Sequence, residues 1–141
     1  MAALAEVTVH GRVVPLPAAL VRKAVRTVLT GERRHASVSV TFLGREAMRQ
    51  MNLRHKGHDF PTDVISFALP DPRGGLLGDL YICRWQADRE ARRRNLPVRE
   101  ELVRLVIHGT LHILGWDHDD GAGREASAMW VRQERYLRKV L

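Results

Sequence analysis

Between Glu101 and Leu114 the chain is apolar nearly all round. Leu102, Val103, Leu105, Val106, Ile107, Leu111, Ile113 and Leu114 leave no polar stripe. A helix without a polar face has to be covered on every side, so the rest of the chain must be built around it. Its ends are marked. Pro97 starts it, Glu100 and Glu101 fall in its first turn, and Gly115 stops it. Two histidines, His108 and His112, interrupt the apolar surface. Burying an imidazole without a partner costs on the order of a few kcal/mol, so both rings need something to bind.

At spacing i, i+4 the two rings project from one face, about one turn apart, and both can reach one metal ion. Gly115 supplies a left-handed residue at the helix end, from which the chain can reverse and bring His118 to the same ion. Three histidines leave the fourth tetrahedral position open for water, as in catalytic rather than structural zinc sites. The alternative is two core histidines bonded to backbone, with His118 in a polar loop. The third histidine and the glycine stop favour metal. Asp117, Asp119 and Asp120 are candidates either for orienting metal-bound imidazoles or for plain turn solvation. In zinc peptidases of the H-E-x-x-H type, the glutamate after the first histidine is the general base. Here that position is Gly109, which cannot move a proton. A glycine inside a helix costs about 1 kcal/mol against alanine. Its small size is therefore needed, for close packing or for room at the site.

Strands are expected at Val7–Val9, Ser37–Phe42, Val64–Phe67 and Leu80–Cys83. The loop 70–75, PDPRGG, suits the tip of a hairpin between the last two. Helices are expected from Pro17 to a stop at Gly31, over 45–53, over 84–95, and from about Arg124 to Val140. The last has Ala126, Met129, Trp130, Gln133 and Leu137 as its inner stripe. With no repeat and no linker, the economical organisation is one α+β domain over residues 1–141, a small sheet packed with helices around the central histidine helix.

Charge bears on the partner. Lys and Arg number 23 against 16 Asp and Glu, a net charge of +7. Most of the cations are arginine, whose fork matches phosphate oxygens, and RNA is the natural polyanion. No apolar run is long enough to span a membrane, and the N-terminus lacks the pattern of a secretory signal. Cys83 is the only cysteine, so no internal disulfide is expected, which fits a reducing cytoplasm.

The histidine segment, H-G-x-L-H-x-x-G-x-D-H from His108 to His118, resembles the signature of the YbeY family. His58-Asp-Phe-Pro-Thr-Asp-Val-Ile-Ser-Phe67 is similar to that family's D-x-P-T-[ND]-V-L-S-F segment, and Leu76-Leu-Gly-Asp-Leu-Tyr-Ile-Cys83 to its L-L-G-D-[IL]-x-I block. The three motifs occur in the family's order. The resemblance implies a mixed sheet with the zinc helix packed on it, a metalloprotease-like core. It implies His108, His112 and His118 as ligands of one Zn²⁺. It also implies single-strand-specific endoribonuclease activity in 16S rRNA 3′-end maturation and ribosome quality control, with the precursor rRNA and the small ribosomal subunit as partners. The family often carries an arginine a few residues before D-x-P-T, proposed to engage the RNA phosphate. Lys56 stands there, two residues after Arg54. Lys56 is thus the candidate catalytic cation, and Arg54 and Lys56 are candidate RNA contacts.

Within the matched blocks, Ser66 is a further residue of interest. Asp79 suits a turn contact or the metal face, and Thr62 and Asp63 suit an Asx- or ST-type turn. Trp116 is the best placed of the three tryptophans to stack a base, against a core role; Trp130 fits the last helix's core. Two other functions remain open on sequence: a ribosome assembly factor with a structural zinc, and a zinc peptidase or amidase, which Gly109 disfavours. The oligomeric state is not legible.

Overall fold

Val38, Val40 and Phe42 lie buried on one side of β2 (Ala36–Leu43), as their alternation predicts. The computed structural model describes residues 6–117 and 127–141. β2 pairs in parallel with β1 (Val7–His10) on one side and β4 (Leu76–Cys83) on the other, and β3 (Val64–Pro70) runs antiparallel to β4 at the edge. The order is β1-β2-β4-β3, a mixed sheet. The helices are α1 (Ala18–Glu32), α2 (Arg45–Lys56), α3 (Arg84–Arg94), α4 (Val98–Ile113) and α5 (Ala128–Val140). The expected α+β class, with a small mixed sheet and a central helix, is what the chain adopts. None of the described helices is long and apolar enough to cross a membrane.

α4 is the buried centre. Every residue from Glu101 to Leu111 is buried, and the helix packs on β3, β4, α1, α3 and α5. Each fully buried Leu, Ile or Val side chain contributes about 1.5–3 kcal/mol, so this single helix supplies a large share of the core. Two glycines set how close it comes to the sheet. A Cβ at Gly109 would meet Leu80 Cδ2 at 2.6 Å and Val64 Cγ2 at 3.2 Å. A Cβ at Gly78 on β4 would meet Ile113 Cδ1 at 2.5 Å. Gly109 is therefore small because α4 lies hard against β3 and β4. The other sheet face carries a smaller cluster of Met48, Ile65 and Cys83, with Tyr81 and Trp85 against it.

Several boundaries differ from the sequence expectation. α1 passes through Gly31 and ends at Arg33, a non-glycine residue at φ 54. Gly31 is instead where the Tyr136 ring from α5 packs. α2 continues past residue 53 to Lys56 and closes on Gly57 at φ 76. The hairpin forms as expected but its strands are longer, paired out to Pro70 opposite Leu76. Its tip is pinned by Asp71, whose amide donates to the Gly75 carbonyl at 3.0 Å and whose side chain accepts from the Arg73 amide at 3.0 Å. α5 starts at Ala128, capped by Ser127, whose Oγ accepts from the Trp130 amide at 3.2 Å. The expected start at Arg124 lies outside the described residues.

Candidate active site

α4 ends where it was expected to. Gly115 takes φ 97, its amide donates to the His112 carbonyl, and the Trp116 amide returns to that of Leu111, both at 3.0 Å. One turn before this stop, His108 and His112 face each other with their Nε2 atoms 2.9 Å apart. The rings are 4.5 Å between centroids and nearly perpendicular, at 80°. His108 is buried and His112 is half-buried.

The other nitrogen of His108 is spoken for. Its Nδ1 lies 2.6 Å from Oε1 of the buried Gln133 on α5. A carbonyl oxygen only accepts, so Nδ1 carries the proton and donates, and the Nε2 lone pair is left pointing at His112. Gln133 is held in that sense because its amide nitrogen donates to Glu134 Oε2 at 3.1 Å. Glu134 accepts in turn from Arg104, Nε at 3.0 Å and Nη2 at 3.1 Å. Burial pushes the Glu134 carboxyl up, but donation from Arg104 and Gln133 outweighs it and holds the group below its ordinary value. Sequence reading counted Gln133 only as part of an inner stripe. A lone amide on an otherwise apolar stripe was the available signal.

The paired histidines open onto a cleft of about 520 Å³. Its other wall is the segment from Phe60 to Val64 with Ser66 of β3, and Gln86 of α3 also lines it. Asn52, buried on α2, fixes this wall by donating from Nδ2 to the Phe60 carbonyl at 2.8 Å. Asp63 Oδ1 accepts from the amide of the next residue, Val64, at 2.7 Å, one residue short of the expected Asx-turn bond, while its carbonyl accepts from the Cys83 amide at 2.9 Å. Asp59 is tied to Arg49, which also grips Glu46. These contacts tie the D-x-P-T segment to α2 and to the end of β4, across the cleft from the histidines.

Other expected residues fall elsewhere. Arg54 and Lys56 are exposed on the last turn of α2, and neither lines the cleft. Lys56 Nζ sits 6.0 Å from the Phe67 ring. Asp79 is exposed on the sheet face opposite α4, in register with Phe67, so it does not reach the histidines; strand alternation puts Leu80 there instead. Trp116 takes the core role, its Nε1 donating to Glu32 at 2.7 Å and its ring covered by Arg132 at 4.5 Å. Trp130 departs from the core stripe and is half-buried, and Tyr136 and Val140 fill that stripe instead. His118, Asp119 and Asp120 lie outside the described residues. Among the described residues no group of three His, Cys, Asp or Glu side chains is placed to hold a metal.

The pair alone can be tested for fit to zinc. Ligands of a tetrahedral ion at about 2.0–2.1 Å stand about 3.3 Å from one another. With His108 Nε2 accepting from His112 Nε2–H at 2.9 Å, loss of that one proton and a small ring rotation would bring both nitrogens to that spacing. The neutral Nδ1–H tautomer of His108 is also the one a metal ligand requires.

The fold and site define an α+β protein with a buried helix presenting two imidazole nitrogens into a cleft at the sheet edge. Comparison with known proteins gives the family. A family-wide profile described as Endoribonuclease YbeY matches residues 14–141, and the chain belongs to that family. It is 38% identical over 124 residues to the Endoribonuclease YbeY of Chlorobium luteolum, covering 86% of this chain and 88% of that protein. It is also 38% identical over 134 residues to that of Xanthomonas oryzae pv. oryzae, covering 89% and 80%. The solution structure of TM1509 from Thermotoga maritima superposes with a TM-score of 0.67 at 26% identity, covering 95% of this chain and 88% of that one.

Proposed function

We propose that this chain is a zinc-dependent endoribonuclease that cuts single-stranded RNA, acting in the cytoplasm on the 16S rRNA precursor and in quality control of the small ribosomal subunit. The observation that carries the reading is the His108–His112 pair, whose Nε2 atoms converge at the head of an open cleft. The family, named for endoribonuclease activity, and the net charge of +7 support RNA as the substrate. The single buried cysteine, Cys83, fits a reducing compartment.

His108 and His112 would hold the ion with His118 as third ligand. The ion, when bound, supplies a Lewis acid for the phosphoryl oxygen and for water. Gln133 keeps His108 in the donating tautomer. Gly109 moves no proton, and any Cβ there would press on Leu80, so the general base of an H-E-x-x-H peptidase is missing. Arg54 and Lys56, on the α2 turn, would neutralise RNA phosphates, with Lys56 the candidate to offset charge in the transition state.

The test is zinc content of the purified protein together with cleavage of single-stranded RNA before and after chelation. About one zinc per chain and chelator-sensitive cleavage are expected. His112→Ala protein that folds and still cuts RNA at the wild-type rate would sink the catalytic-zinc reading, and wild-type protein that holds zinc but cuts no single-stranded RNA would leave an assembly factor. End-group analysis of the products separates attack by water from attack by the RNA 2′-OH, which leaves a cyclic phosphate.

A further inference from the structure

A second cavity, of about 270 Å³, adjoins the histidine cleft. Asp63, Gln86 and His108 line both, so a ligand seated on the histidines lies at the mouth of the second space. Three arginines border it, yet each faces a carboxylate. Arg104 Nη1 donates to Glu101 at 2.9 Å, Arg94 Nη1 lies 3.7 Å from Glu101, and Arg93 Nε donates to Glu90 at 3.1 Å. A phosphate would have to displace one of these carboxylates, so the cavity is poorly suited to an anion.

What it does offer is an aromatic wall and an amide. Trp130, at the start of α5, is half-buried at this cavity. The Arg94 guanidinium stands over its ring 6.0 Å from the centroid, the outer limit of a cation–π contact, and is held by Glu101 only at 3.7 Å, so a stacking base would swing this weakly tied arginine aside. Gln86, half-buried where the two spaces meet, carries both a donor and an acceptor. A charge-compensated space with one ring face and an amide at its mouth suits a planar, neutral group with a polar edge. In single-stranded RNA that group is an unpaired base, which proteins bind by stacking on aromatic rings and by hydrogen bonds to its edge.

We propose that this cavity is a subsite for an unpaired nucleobase next to the phosphate held at the histidines, with Trp130 as its stacking platform and Gln86 contacting its edge. The proposal rests on the RNA-cleaving reading above. Its test does not need cleavage. A fluorescein-labelled 2′-O-methyl decamer, which offers no free 2′-OH, is compared by anisotropy with an all-abasic decamer carrying the same phosphates. Wild-type protein should bind the decamer with bases at least tenfold more tightly. Trp130→Ala should lose about tenfold on that decamer and nothing on the abasic one, while Trp130→Phe stays within about threefold of wild type. Gln86→Ala should lose several-fold on the decamer with bases only, and it gives the same readout should Trp130→Ala not fold. Wild-type affinity for the decamer with bases in both Trp130→Ala and Gln86→Ala overturns the proposal. Cleavage of an unmodified decamer is run in parallel. Its absence in the wild type would fell the endoribonuclease reading, while the anisotropy series still decides what the cavity binds.

Discussion

Gln133 Oε1 accepts a hydrogen bond from His108 Nδ1 at 2.6 Å, tying the last helix to the face of the central one that carries both imidazoles. The tie continues through Glu134 to Arg104, whose guanidinium also reaches Glu100 and Glu101 on α4. An outer partner of this kind typically changes metal affinity by 10–100-fold. Gln133→Leu removes the acceptor and should weaken zinc binding by that factor. Glu134→Gln, which loosens the amide without removing it, should cost less. Competition with a chromophoric chelator measures both without any cleavage assay. Unchanged affinity in Gln133→Leu would show that His108 needs no such partner.

Gly109 gives a second prediction, in stability. Alanine there has better helix propensity by about 1 kcal/mol, but its Cβ would sit 2.6 Å from Leu80 Cδ2 in a packed core. Overpacking of this kind costs about 1–3 kcal/mol, so packing should win or cancel the gain. Gly109→Ala is expected to be destabilised by up to about 2 kcal/mol in urea unfolding. A clear gain in stability would mean that α4 can back away from β4.

The elements whose pattern repeats were legible in the sequence. The histidine helix, the alternating β2 and the hairpin around 70–75 follow from periodicity and turn chemistry, which act within a few residues. The misreadings arose where a distant element decided the outcome. Gly31 looked like a stop because nothing local reveals that Tyr136, on a helix far along the chain, packs against it. Trp130 looked like core because its spacing fits the stripe, whereas the cavity beside α3 and α4 leaves it half-exposed. At the site, helical spacing alone brought His108 and His112 together. Gln133, Asn52 and Gln86 were missed because their roles depend on elements meeting through the fold.

Glu32 carries a third prediction, on pH. Its carboxylate ends α1 and accepts from Trp116 Nε1 at 2.7 Å, from Arg132 Nη1 at 2.8 Å and from the Tyr136 hydroxyl. Burial raises its pKa, but donation from Tyr136, Trp116 and Arg132 outweighs that and holds the group below its ordinary 4.5. A depressed acid stabilises the fold above its unfolded-state value, and that contribution is lost as pH falls through the folded-state one. Glu32→Gln should therefore cost about 1–3 kcal/mol at pH 7, with the difference from wild type shrinking as pH falls below about 4.5. Urea unfolding at pH 7 and pH 3.5 makes the comparison. A penalty of the same size at both would mean that shape, not charge, is what Glu32 provides.

Lys56 is the remaining question, because its chemistry and its place pull in different directions. Its charge and its position in the D-x-P-T neighbourhood suit a phosphate contact. The structure leaves it exposed on the last turn of α2, against Phe67 and off the cleft lining. A phosphate contact has a signature separate from catalysis. For single-stranded RNA, each neutralised phosphate contributes about 0.7 to the slope of log K against log salt. Lys56→Ala should lower affinity several-fold at low salt and reduce that slope by about 0.7, and Lys56→Arg should restore both. If Lys56 also acts on the transition state, kcat falls in Lys56→Ala by more than the loss of affinity explains. An unchanged slope together with unchanged kcat would assign Lys56 to solvent and leave Arg54 as the cation of that turn.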